Sequence, residues 1–173
     1  MHIAKFDQQS AAPSCPDLDT AKSIVSELAS VKSRQDIKAA LEIYHKDATL
    51  LCPPWQSSSH GRAELEKKLV GFFRLVPDYA VELTGYAMAG ETLCTWGTIR
   101  MTLSTTPRGD KPNGRKVSTP VFILFRFSEG KVIWESFHFD LADVARQSEV
   151  PTEAFVQASG SLSEHKFASA VQP

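Results

Sequence analysis

The sequence predicts an α+β fold, a cone-shaped α+β barrel in which three N-terminal helices pack on a strongly curved antiparallel sheet. Three observations predict it. Apolar residues recur every three or four positions up to about residue 75, which is the period of a helix with one buried face. From Pro77 to Asp140 they alternate instead, the period of a strand with one buried face. Turn signals (Gly90, Pro112-Asn113-Gly114, Ser128-Glu129-Gly130) punctuate that second half at hairpin distances. Helices first and strands afterwards give segregated layers rather than alternating parallel units.

Each element follows from its residues. Residues 1–17 are rich in Pro, Ser and Ala and read as a flexible leader. Asp17 to Thr20 offers caps for a first helix that buries Ile24, Leu28 and Val31. A second helix over about 34–45 sets Ile37, Leu41 and Tyr44 on one stripe. Ala48–Cys52 is a short strand stopped by Pro53-Pro54, which cannot continue a ladder. A loop with Trp55 and SSSHG leads to a third helix near 62–75, with Leu65, Leu69, Phe72 and Phe73 inward. Strands follow at about 79–87, 92–103, 117–127 and 131–139, with a polar hairpin loop over 104–116. Asp140 caps a short helix over 141–147. The domain is set at 18–150, with a C-terminal tail over 151–173.

Composition narrows the function. The 173 residues carry 19 basic and 20 acidic side chains, a formal net charge of −1, and 42% are hydrophobic. So even a balance leaves no footprint for nucleic acid or an anionic membrane. Cys15, Cys52 and Cys94 are odd in number with no CxxC spacing, the usage of reduced thiols in a cytoplasmic protein. No apolar run at the N-terminus is long enough for a signal peptide or a span. The five histidines, at 2, 45, 60, 138 and 165, show no HxH or HExxH spacing, so no metal is expected.

Several local stretches, in order, carry a resemblance: YHKDATL at 44–50, HGRAELEKKLVGFFRLVPD at 60–78, GETL at 90–93, NGRKV at 113–117, FRFSEGKV at 125–132 and FDLADVARQ at 139–147. Over roughly residues 20–150 the chain resembles the SnoaL-like polyketide cyclases, within the nuclear-transport-factor-like (ketosteroid isomerase-like) superfamily. The resemblance implies a conical pocket and an aldol ring closure without metal or cofactor, run by an aspartate on the last strand, a histidine on the strand before it and an asparagine on the first strand. Carried over one at a time, the aspartate falls on Phe137, the histidine on Ile123 and the asparagine on Leu50. All three positions are apolar here, so the family's cyclase machinery is absent as such.

Position 137 faces the pocket in that family, and alternation then turns Ile133, Glu135, Phe137 and Phe139 inward, with Thr119, Val121, Ile123, Phe125 and Phe127 across the ladder. Glu135 is thus the one inward acid of GKVIWESFHFD and a candidate general base, whose pKa an apolar pocket would raise. The competing reading pairs it structurally with a cation. His60, at the expected mouth, is a candidate proton shuttle, against the plainer reading of a solvated loop histidine. Candidate substrate-binding residues are Tyr44, Leu50, Cys52, Trp55, Phe73, Met101, Val121, Ile123 and Phe137, an apolar wall that excludes water. Strict alternation turns Trp96 outward unless a bulge near Gly97 shifts the register. The outward set Phe122, Leu124, Trp134 and His138 is too apolar for water and suits a homodimer face. The expected function is a cofactor-independent cyclase, isomerase or lyase acting on an apolar, carbonyl-bearing polyketide- or terpenoid-like small molecule. A non-catalytic binder of an apolar ligand and a dimeric scaffold are the alternatives.

Overall fold

Among the described residues, three of the four α-helices begin at an aspartate whose side chain accepts a free amide of the first turn. In the computed structural model, which describes residues 15–155, α1 (Leu18–Ser33) is capped by Asp17, which accepts from the Thr20 N–H at 2.8 Å. Asp36 caps α2 (Ile37–Ile43) through the Ala39 N–H at 3.0 Å, and Asp140 caps α4 (Leu141–Ser148) through the Asp143 N–H at 3.1 Å. α3 (Gly61–Leu75) has no side-chain cap at His60; instead the first-turn Glu64 reaches back and accepts from the His60 N–H at 2.9 Å.

Six strands, β1 (Tyr44–Cys52), β2 (Ser57–His60), β3 (Ala80–Ala89), β4 (Thr92–Thr102), β5 (Lys116–Ser128) and β6 (Lys131–Phe139), form one sheet in the order β2-β1-β6-β5-β4-β3. The class is α+β as expected. Three features depart from the sequence reading. The first strand runs parallel to the last, Leu50 beside Glu135, so the sheet is mixed, and it stays open with β2 and β3 at its edges. SSSH is a strand rather than a loop. A single 3-10 turn at Pro53–Trp55 folds it back onto β1, pairing Cys52 with Ser57 and Leu50 with Ser59. The second helix stops at Ile43, because Tyr44 is already extended (φ −76°, ψ 143°) and opens β1.

Helices and inner sheet face enclose one core that includes Val25, Leu28, Leu65, Leu69, Val121 and Phe125. Inner-face alternation on β5 holds from Val117 to Phe125. On β6 it breaks once. Phe127 pairs with Val132 and Arg126 with Trp134, so Ile133 is an extra, half-buried residue and Val132 takes the inward place expected of it. Trp96 does turn outward: β4 is regular there, and the irregularity lies across the ladder between Leu83 and Gly85. Its ring lies over Gly85, where a Cβ would come within 2.2 Å of ring carbons.

α4 closes the back of β5. The Gln147 side-chain amide bonds both the N–H and the C=O of Ser118, each at 3.0 Å, as a neighbouring strand would. Past the expected boundary at 150 the chain remains packed through a 3-10 turn at Thr152–Phe155, and Phe155 stacks on Trp55 (centroids 6.4 Å apart, planes 14°). The rest of the expected tail, 156–173, and residues 1–14 of the leader lie outside the described residues.

Candidate active site

Alternation on β6 points Glu135 into the domain, with Leu50 beside it on β1 and Phe125 across from it on β5. It is 0% exposed. A carboxylate stripped of water at that depth requires partners. α1 supplies one: Lys32 continues the buried Ala21–Val25–Leu28 stripe by one more helical step. Its Nζ donates to Glu135 Oε1 at 2.8 Å and to Oε2 at 2.9 Å. Tyr44 Oη also donates to Oε2, and the Lys32 ammonium lies 5.4 Å from the Tyr44 ring centroid. A carboxylate offers about four acceptor positions. Three are taken, and the free one is on Oε1. Burial, then the neighbouring Glu135 charge, pushes both the Tyr44 and Tyr79 phenols well up, so both stay protonated donors.

Beside this cluster lies a cavity whose apolar walls are Leu50, Cys52, Trp55, Leu69, Phe72 and Phe137. Lys32, Glu135, Lys68 and Tyr79 supply its polar groups. It holds about 40 Å³ in which the centre of a water molecule fits. That admits a few waters or a small ligand as it stands, and a larger one only if a wall side chain turns. The aromatic wall is a connected set: Trp55 meets Phe72 at 5.5 Å and Phe139 at 5.8 Å, and Phe72 meets Tyr79 at 5.0 Å.

Lys68 enters from α3, at the position that joins Leu65 and Phe72 on the buried stripe. Its Nζ donates to the buried Ser57 Oγ. Burial holds its pKa below the usual lysine range, while the Cys52 thiol in the same wall is pushed up to about 11, also by burial.

The structure brings Glu135, Leu50, Cys52, Trp55 and Phe137 to one cavity, with Tyr44 bonded to Glu135 behind it. Ile123 sits opposite Phe137 in the ladder and lines a smaller void shared with Lys32 and Glu135. Phe73, Met101 and Val121 are buried in the core and do not line the cavity; Phe72, one residue earlier on α3, lines it where Phe73 was expected. His60 is exposed, its ring Nδ1 3.0 Å from Thr49 Oγ1, because β2 carries it to the sheet edge and away from Glu135. Sequence reasoning missed Lys32, Lys68, Leu69, Phe72 and Tyr79 as lining residues. The available signal was a lysine on each of two apolar helical stripes facing a buried acid. Among the described residues no group of three or more His, Cys, Asp or Glu could hold a metal, and no helix is long and apolar enough to cross a membrane.

The SnoaL-like domain profile matches residues 25–135. No curated protein matches the sequence. Among solved structures, a candidate SnoaL-like polyketide cyclase from Jannaschia is 16% identical, with 81% of this chain and 99% of its own covered and a TM-score of 0.69. A ketosteroid isomerase-like protein from Catenulispora acidiphila is 16% identical over 75% of this chain and 95% of its own, with a TM-score of 0.66. A SnoaL-like polyketide cyclase from Agrobacterium tumefaciens is 17% identical over 73% and 95%, with a TM-score of 0.60. At these identities the likeness carries the fold and not the reaction.

Proposed function

The chain belongs to the SnoaL-like domain family, and within it we propose that it is a cofactor-independent enzyme that cyclises, isomerises or dehydrates an apolar, carbonyl-bearing small molecule of polyketide or terpenoid type in the Glu135 cavity. One observation carries the reading. A fully buried carboxylate with one acceptor position unused stands at the wall of an apolar cavity. All three reaction types begin by removing a proton next to a carbonyl, and Glu135 Oε1 is the base for that step. As Glu135 takes the proton, the Lys32 ammonium and the Tyr44 hydroxyl lose a charged acceptor and turn their donors toward the enolate oxygen. The walls exclude water from that enolate and fold the substrate for ring closure. Glu135 is one inward position before Phe137, about 6.6 Å along the strand, so the acid has shifted by one pleat from where relatives are expected to keep it.

Deuterium exchange into the α-positions of β-tetralone, followed by NMR, tests the common step. Wild type should accelerate it, and Glu135→Gln should lower that rate at least ~100-fold, a usual general-base contribution. No acceleration by wild type with measurable ketone binding sinks the enzyme reading in favour of an apolar-ligand binder, which the apolar Leu50, Ile123 and Phe137 would suit.

The working unit proposed is a homodimer through the outer sheet face. Trp96, Phe122 and His138 form one cross-strand row there, with Phe122 54% and Trp96 38% exposed. Phe122→Glu should give a monomer in light scattering where wild type gives a dimer; a monomeric wild type removes the idea. The free thiols of Cys15, Cys52 and Cys94 fit a reducing compartment such as the cytoplasm.

A further inference from the structure

We propose that the ligand of the Glu135 cavity carries an organic anion, a carboxylate on its apolar carbonyl-bearing body, and that Lys68 with Ser57 is the subsite that receives it. The inference rests on the cavity being the binding site, as proposed above, and not on Glu135 being a base.

Charge accounting within the cavity is the first support. Lys32 is matched by Glu135 at 2.8 Å. Lys68 has no acidic partner among the described residues, and its one hydrogen bond goes to the neutral Ser57 hydroxyl. An ammonium on an apolar wall with a single neutral acceptor is under-solvated. It keeps two unused N–H donors for a ligand. A carboxylate supplies both the missing charge and the missing acceptors.

The second support is the surface that leads in. Lys68, Trp55 and Phe72 belong at once to the cavity wall and to a wider groove of about 570 Å³. The groove's other charged lining residues are Lys67 and Arg74, with no acid among them. Three cations along one approach contrast with a whole-chain charge of −1, and such a local excess draws anions in and orients them.

A third observation concerns Trp55, which lines both spaces. Its indole Nε1 is buried and has no acceptor among the described residues. A buried N–H left unpaired is uncommon; it has no accessible surface as it stands, and the indole would have to turn to offer it to a ligand oxygen. Lys68 and Ser57 already set an ammonium and a hydroxyl at one wall of the groove, and the apolar residues around them suit the ligand's body.

Calorimetric titration of the full chain with phenylpyruvate and with its methyl ester tests this, because the two differ only in the anion. Wild type should bind the acid about tenfold or more tightly than the ester, the range expected of a hydrogen-bonded charge pair. Lys68→Met, with its fold checked by circular dichroism, should bring the acid down to the ester's affinity while leaving the ester within about twofold. Lys68→Arg should keep a preference for the acid. Equal binding of acid and ester by wild type, binding of neither, or an undiminished preference in Lys68→Met overturns the proposal. The wild-type ratio needs no variant, so a Lys68→Met that failed to fold would not shield it. Because calorimetry reads binding alone, loss of the proton-transfer reading at Glu135 leaves this result standing, and the reverse holds too.

Discussion

Lys32 and Lys68 reach the same cavity from different helices, each on an otherwise apolar stripe, and only one of them meets a carboxylate. Lys32 closes a buried ion pair with Glu135, helped by Tyr44. Lys68 leans on Ser57 alone. The same side chain at equivalent helical positions thus serves two ends. A paired buried cation is a fixture of the folded state, whereas an unpaired one strains that state until something outside the chain answers it. The difference teaches where to look for a ligand's charge: at the half-buried group the protein has left unmatched.

Removing each lysine is the strongest way to break the comparison. Lys32→Met strands the Glu135 carboxylate, whose side chain is 1% exposed, and should destabilise the fold by ~3–5 kcal/mol in urea unfolding. Glu135→Gln should lose less, ~1–3 kcal/mol, because Lys32 keeps 12% of its side chain at the surface and can turn to water. Lys68→Met removes a strained charge and should be neutral or stabilising by up to ~1 kcal/mol. Equal losses at the two lysines would mean that Lys68 has a structural partner after all.

The pH dependence sharpens the same contrast. Burial lowers the folded-state pKa of Lys68 below 10.5, its ordinary value. Between those two values the unfolded chain holds more protons than the folded one, so stability rises with pH there. The contribution is fully present above 10.5 and is lost as pH falls through the folded pKa. The stability advantage of Lys68→Met over wild type should therefore be largest near neutral pH and shrink as pH approaches 10.5. A gap that is flat with pH would show that Lys68 carries no burial penalty.

Much of this arrangement was legible in the sequence, and what was not has a physical reason. The resemblance places Phe137 and Leu50 at the pocket, and Glu135 then reads as inward because a strand's two-residue period leaves no freedom once one residue is assigned. The register survived as far as Glu135 and failed at Ile133, where a bulge inserts one residue that no alternation rule announces. Lys32 and Lys68 were passed over since a lysine beside an apolar stripe ordinarily sends its amine to water along an apolar stem. What holds Lys32 inward is Glu135, 103 residues away, and such a pairing appears only when the sheet assembles. Likewise SSSH has little strand propensity of its own and becomes β2 only because Pro53–Trp55 turns it back onto β1. His60 follows β2 to the edge for the same reason.

The smallest expected effect uses Cys52 as a reporter already built into the cavity wall. Burial pushes its pKa up to about 11, and among the charges that pull it back down the Lys68 ammonium acts most strongly, ahead of Lys32. At pH 9 only about one Cys52 in a hundred is then the reactive thiolate. Iodoacetamide should label it far more slowly than the half-buried Cys94, with the two sites separated by peptide mass spectrometry. Lys68→Met takes away the field that favours the thiolate, so Cys52 labelling should slow a further few-fold relative to Cys94 in the same sample. Removing the lysine's bulk would open the wall and speed labelling, so the electrostatic and steric consequences have opposite signs, and slower labelling in Lys68→Met can come only from the lost charge. A rate that holds or rises would mean that the space the lysine fills counts for at least as much at Cys52 as its charge does. The distinction between the two lysines would then no longer be one of charge at this wall.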